Sequence, residues 1–76
     1  MIDELDSVAL TADVPEHGLE EGDIGRVVHR YRSGRAYEVE FLAGDGSTVA
    51  VLTLETGDLR PLERSDTFHA RTAARD

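Results

Sequence analysis

The sequence predicts an all-β fold, a small five-stranded barrel followed by a polar C-terminal tail. Three observations carry that expectation. Short runs alternate apolar and polar residues at a period of two, the pattern of strands with one buried face. Glycine, proline, aspartate and serine interrupt those runs every few residues. A single-turn link stands before the last short run, "LRPL".

The first run, "SVALTADVP", alternates Val8, Leu10, Ala12 and Val14 with Ala9, Thr11 and Asp13. It reads as a strand ended by Pro15, which cannot donate to a ladder and holds Val14 extended. "EHGLEEGD" follows as a tight loop, with Gly18 and Gly22 free to take positive φ and Leu19 placed to turn inward as an anchor. The closely spaced glycines of "PEHGLEEGDIGRVVH" open onto a strand of about Ile24 to Tyr31. That context makes Gly22 and Gly25 the bend of a barrel corner, where there is no room for a Cβ.

The next run, "AYEVEF", sets Tyr37, Val39 and Phe41 on one face and Glu38 and Glu40 on the other. A two-residue turn before it would put Arg30 on the core side. A three-residue turn, Arg32-Ser33-Gly34, instead places Gly34 at a left-handed position. It also sets Val27 against Val39, His29 against Tyr37 and Arg26 against Glu40. The "AGDGS" turn leads into "TVAVLTL" and allows two registers; the preferred one, with Asp45-Gly46 as a two-residue loop, turns Ala50, Leu52 and Leu54 inward. "ETGDLRPL" then reads as the one-turn link and a closing strand from Leu59 to Leu62. Five short strands in this order describe an SH3-like barrel.

At 76 residues the chain is expected to form one domain near the lower size limit for unaided folding, with the barrel at 1–62 and the polar tail at 63–76 as a frayed helix or disordered. It has no cysteine, hence no disulfide, thiolate metal site or thiol nucleophile. The acidic start and the lack of a long apolar run argue against export and membrane insertion, so the expected compartment is the cytoplasm.

Charge is segregated along the chain. Met1 to Gly25 carries eight acids and no arginine, Arg26 to Tyr37 carries four arginines (Arg26, Arg30, Arg32, Arg35) and no acid, and the whole chain has a net charge of −8 without any lysine. The arginines, with His29, Tyr31 and Tyr37 nearby, have the composition of a nucleic-acid contact. The total charge opposes it, because a polyanion would be repelled at long range. Pairing of Arg26 and Arg30 with Glu38, Glu40 or the acidic N-terminal segment ranks first, contacts to an acidic protein partner second, and nucleic acid last.

The runs "ELDSVALTADVPEHGLEEGDIGRVVHRY", "AYEVEF", "GSTVAVLTL" and "LRPL" together resemble the bacterial family catalogued as domain of unknown function 4926, over roughly Glu4 to Leu62. "GDIGRVV" and "YEVEF" also resemble the SH3-like domain of nitrile hydratase β subunits and their accessory relatives. "GDIGRVV" alone is similar to the KOW motif of ribosomal and transcription proteins. These resemblances imply the barrel and no activity, since fold does not fix function.

Catalytic, cofactor and metal sites are all expected to be absent. A phosphate loop needs glycines opening onto a helix, and Glu20, Glu21 and Asp23 would repel the ligand. Glu16, His17 and Asp23, with or without His69, lack a recognised ligand spacing and read as a solvated acidic loop. Ser7, His29 and Asp13 can be drawn as a triad, but no nucleophile-elbow motif supports it, and His29 reads as a half-buried strand residue.

The expected function is a non-catalytic acidic interaction module. Its candidate surface is Val28, Leu42, Val49 and Val51, apolar residues left on the outer face, with Arg26, Arg30, Arg32 and Arg35 as contacts for an acidic partner. The alternatives are a KOW-like nucleic-acid binder using the Arg26–Arg35 hairpin and an accessory subunit of a bacterial enzyme. A protein partner is expected and a homodimer is admitted. A cover for the same patch from the segment around Ile2 and Leu5, or from Phe68, is the competing arrangement.

Overall fold

The computed structural model describes residues 2–62. The tail expected at 63–76, including Phe68 and His69, lies outside the described residues. The fold is all-β: β1 (Ser7–Leu10), β2 (Ile24–Arg30), β3 (Ala36–Leu42), β4 (Thr48–Glu55) and β5 (Leu59–Pro61), with 3-10 turns at Pro15–His17 and Thr56–Asp58. All neighbours are antiparallel, in one sheet of order β4-β3-β2-β1-β5. The sheet curls around its core without joining β4 to β5, so the barrel is open.

Alternation decides which side chains enter the core. Val8, Leu10, Val27, Tyr37, Val39, Phe41, Leu54 and Leu59 form one buried cluster with Leu19 and Ile2, and Leu52 and Val14 pack against it. Leu19 is anchored as expected: Val14 and Leu19 exchange backbone hydrogen bonds at 2.9 and 3.1 Å across the Pro15–His17 turn, and Gly18 closes that turn at φ 68°. Gly25 is the close approach of the corner, since a Cβ there would lie 2.7 Å from Val39 Cγ1 and 2.8 Å from Phe41 Cε1. Gly22 serves differently, with open space around it and φ of 90°.

The first strand is shorter than its alternation implies. It ends at Leu10, and Ala12, expected inside, is exposed. The chain leaves the ladder because Thr11 turns to the far 3-10 segment, donating its N–H to Asp58 O at 3.0 Å and its hydroxyl to Gly57 O at 2.8 Å.

Both hairpins reach the expected faces by a different route. In the first, Tyr31 N–H donates to Ala36 O and Gly34 N–H to Tyr31 O, so four residues, Arg32 to Arg35, form the loop rather than three. Gly34 is left-handed as expected, at φ 73°. A bulge at Val28 takes up the extra residue and restores Val27↔Val39 and Arg26↔Glu40. Between bulge and tip, however, His29 stands opposite Glu38 and Arg30 opposite Tyr37, which corrects the expected His29–Tyr37 pair. In the second hairpin Ala43 N–H donates to Ser47 O and Gly46 N–H to Ala43 O, a three-residue loop with Gly46 at φ 89°. A bulge at Val49 then restores Phe41↔Ala50, Val39↔Leu52 and Tyr37↔Leu54, the inward set expected of the two-residue loop.

The N-terminal segment continues the β1 row alongside β2. Asp6 N–H donates to Asp3 O at 3.1 Å, closing a turn whose third residue, Leu5, has φ 72°. Beyond it Leu5 N–H reaches Val27 O at 2.7 Å and Val27 N–H reaches Asp6 O at 2.9 Å. This strap sends Ile2 into the core and leaves Leu5 70% exposed, so neither covers the outer face of β2 to β4.

Candidate interaction face

The outer face of β2, β3 and β4 is built by the residues that alternation turns away from the core, plus the two bulged valines. Val28 (43% exposed), Leu42 (41%), Val49 (38%) and Val51 (51%) all lie in the open. Leu42 pairs with Thr48 beside the Val49 bulge, and Val51 follows two residues on, so these three side chains cluster at one end of the β3–β4 hairpin. Val28 stands on β2, with the Arg26–Glu40–Val51 row crossing between it and that end.

The acids of β3 are held by hydroxyl groups. Glu38 Oε2 accepts from Tyr31 Oη at 2.6 Å and from Thr53 Oγ1 at 2.5 Å, and Glu40 Oε2 accepts from Thr48 Oγ1 at 2.8 Å. The hydrogen bond from Thr53, then that from Tyr31, holds the Glu38 carboxyl below its ordinary pKa. The same Glu38 bond pushes the Tyr31 phenol up. His29 meets Tyr31 edge-on, with ring centroids 4.7 Å apart, and its Nδ1 lies 3.6 Å from Glu4 Oε2. Its side chain is 53% exposed, a correction to the half-buried position expected; the Val28 bulge turned it outward. The expected β3–β4 register already sets Thr53 across from Glu38, whereas Tyr31 escapes sequence reasoning because the Val28 bulge is what brings it to Glu38.

The four arginines are all exposed. Arg26 stands opposite Glu40. Arg30 Nη1 lies 3.7 Å from Asp3 Oδ1, and its backbone N–H donates to Glu4 Oε2 at 3.1 Å. Arg32 and Arg35 sit on the hairpin loop. Acids of the N-terminal segment therefore meet the β2 end of the basic stretch, as internal charge pairing requires.

The residues drafted as metal ligands occupy different environments: Glu16 and His17 are exposed on the 3-10 turn, whereas Asp23 is fully buried and accepts Glu20 N–H on Oδ2 at 2.9 Å. Among the described residues no three His, Asp or Glu side chains are grouped where a metal ion could be held. Ser7, Asp13 and His29 make no hydrogen bond with one another. Beside the first turn lies an open hollow of about 450 Å³ lined by Asp13, Pro15, Gly18, Leu19 and Glu20. Among the described residues no helix is long and apolar enough to cross a membrane.

No curated protein and no solved structure matches the chain. One family matches, over residues 4–61, which include all five strands, both hairpins and the Gly25 corner. On that match the chain belongs to the family described as Domain of unknown function (DUF4926).

Proposed function

We propose that this domain is a non-catalytic protein-interaction module of the cytoplasm that docks another polypeptide on the outer face of β2 to β4. The carrying observation is the exposed set Val28, Leu42, Val49 and Val51, four large apolar side chains on one face of a domain this small. Such area is the kind that association removes from water. The acids of this face are already held by hydroxyls, Glu38 by Tyr31 and Thr53 and Glu40 by Thr48, and the Arg26–Glu40 row interleaves with the apolar side chains.

The test is capture with the native domain against Leu42→Glu, a change at an exposed site that spares the core. A partner retained by the native domain and lost by the variant supports the reading. Equal retention by both, or salt-sensitive retention of nucleic acid that disappears with Arg30→Ala and Arg32→Ala, overturns it.

A further inference from the structure

The arginines expected to pair with the β3 carboxylates do not reach them. Arg30 lies 3.7 Å from Asp3, and Arg26 stands opposite Glu40 in the ladder, yet among the described residues no ion pair joins an arginine to Glu38 or Glu40. Neutral hydroxyl groups hold these acids instead, Thr53 and Tyr31 on Glu38 and Thr48 on Glu40, and each of those bonds falls on Oε2. Oε1 of each carboxylate keeps its lone pairs for another donor. A hydroxyl donor favours the charged form of a carboxylate without cancelling its charge. Glu38, held below its ordinary pKa by Thr53 first, then Tyr31, and last by His29, is therefore ionised at neutral pH.

These charges stand within the apolar face rather than beside it. Along the outer side of β3, Glu38, Glu40 and Leu42 follow one another at every second residue, a spacing of about 7 Å. Val51 lies across from Glu40, and Thr53 across from Glu38. A polypeptide laid over Leu42 and Val51 therefore takes Glu38 and Glu40 out of water as well. Desolvating an ionised carboxylate outweighs the gain from covering a leucine and a valine, unless a counter-charge arrives with the cover.

We infer that the segment docking on this face is cationic, with two arginine or lysine side chains placed to meet Glu38 and Glu40 and apolar side chains following them over Leu42 and Val51. The inference rests on the interaction reading above and names the chemistry of the partner. An extended segment supplies the required spacing of about 7 Å at alternate residues. A guanidinium or ammonium group brings the donors that Oε1 of each acid lacks. The whole chain favours the same partner, since its net charge of −8 draws a cation in from a distance and turns an acidic segment away.

The test is a heteronuclear NMR titration of the full chain with three short synthetic peptides at low salt. One alternates serine with two arginines and then two leucines; the others carry glutamine or glutamate in place of both arginines. The arginine peptide is expected to bind with amide shifts at Glu38, Glu40, Leu42 and Val51, and the other two to bind more weakly by about fivefold or more. Glu38→Gln with Glu40→Gln should weaken the arginine peptide by about fivefold or more. Glu16→Gln with Glu21→Gln removes the same number of charges from the exposed first loop and should leave its binding within about twofold. The peptide series reads the native chain, so it decides the matter even if the β3 variant loses its fold. Equal binding of the arginine and glutamine peptides, an equal loss from both pairs of substitutions, shifts confined to the first loop, or no binding of any peptide would overturn the inference. In those cases capture lost with Leu42→Glu would still support docking of a partner of different chemistry on the face.

Discussion

Gly25 and Phe41 face each other across β2 and β3 so closely that a Cβ on the glycine would stand 2.8 Å from the phenylalanine ring and 2.9 Å from Glu40 O. The ring is fully buried and the carbonyl belongs to a paired strand, so neither can withdraw cheaply. Gly25→Ala is expected to destabilise the domain by roughly 1 to 3 kcal/mol, the usual cost of overpacking a tight core. Denaturant titration checks this, and a variant within a few tenths of the parent would refute the close approach.

Among the described residues Phe41 is the largest fully buried side chain. Phe41→Ala should cost about 3 to 5 kcal/mol, a large part of the total for a domain of this size. A melting temperature within a few degrees of the parent would show that the ring is not at the centre of the core.

Leu5 holds φ 72° in the third position of its turn, where a type II turn takes glycine, and it is 70% exposed. The left-handed conformation costs a leucine about 1 to 2 kcal/mol, while glycine adds about 0.5 to 1 kcal/mol of unfolded-chain entropy. Leu5→Gly is therefore expected to leave stability unchanged or raise it by up to about 1 kcal/mol. A clear loss of stability would mean that the leucine side chain makes a contact worth more than its strain.

The Glu38 carboxyl is held below its ordinary pKa by the Thr53 hydrogen bond first and the Tyr31 bond second. A lowered folded pKa gives stability that is present above the ordinary glutamate range and is lost as pH falls through the folded value. Tyr31 is raised, so its contribution is present below the ordinary phenol range and is lost as pH rises through the folded value. Thr53→Val should move the Glu38 titration up, and Tyr31→Phe should move it up by less. Carboxyl chemical shifts followed through an acid titration read both. The reverse order would show that Tyr31 is the stronger partner.

Faces were legible in the sequence and phases were not. Tyr37, Val39 and Phe41 alternate so strictly with Glu38 and Glu40 that their burial follows from period alone, and the glycine of the "GDIG" corner follows from the strand it opens. A bulge leaves no mark in that alternation when the added residue is itself a valine. Val28 and Val49 both read as ordinary strand positions, and the surroundings of His29 were misassigned as a result. Ile2 lies among acids, so nothing local marks it as core; its burial depends on the turn at Leu5, a residue type that rarely adopts that conformation. On the outer face, the exposure of Val28, Leu42, Val49 and Val51 was readable by subtraction. The Tyr31–Glu38 bond needed the bulged register, which the alternation does not show.

The paired bulges have a consequence for how this chain can vary. Each lies between a hairpin tip and the core, and each shifts the strand by one residue, so the number of residues at the tip is uncoupled from the side chains that face inward. Deleting one loop residue together with its bulged valine would yield a plain ladder with every core contact in place. Insertions and deletions of a single residue can therefore accumulate at both tips while the buried alternation stays constant, and the length of these loops is free to drift under selection for whatever they touch.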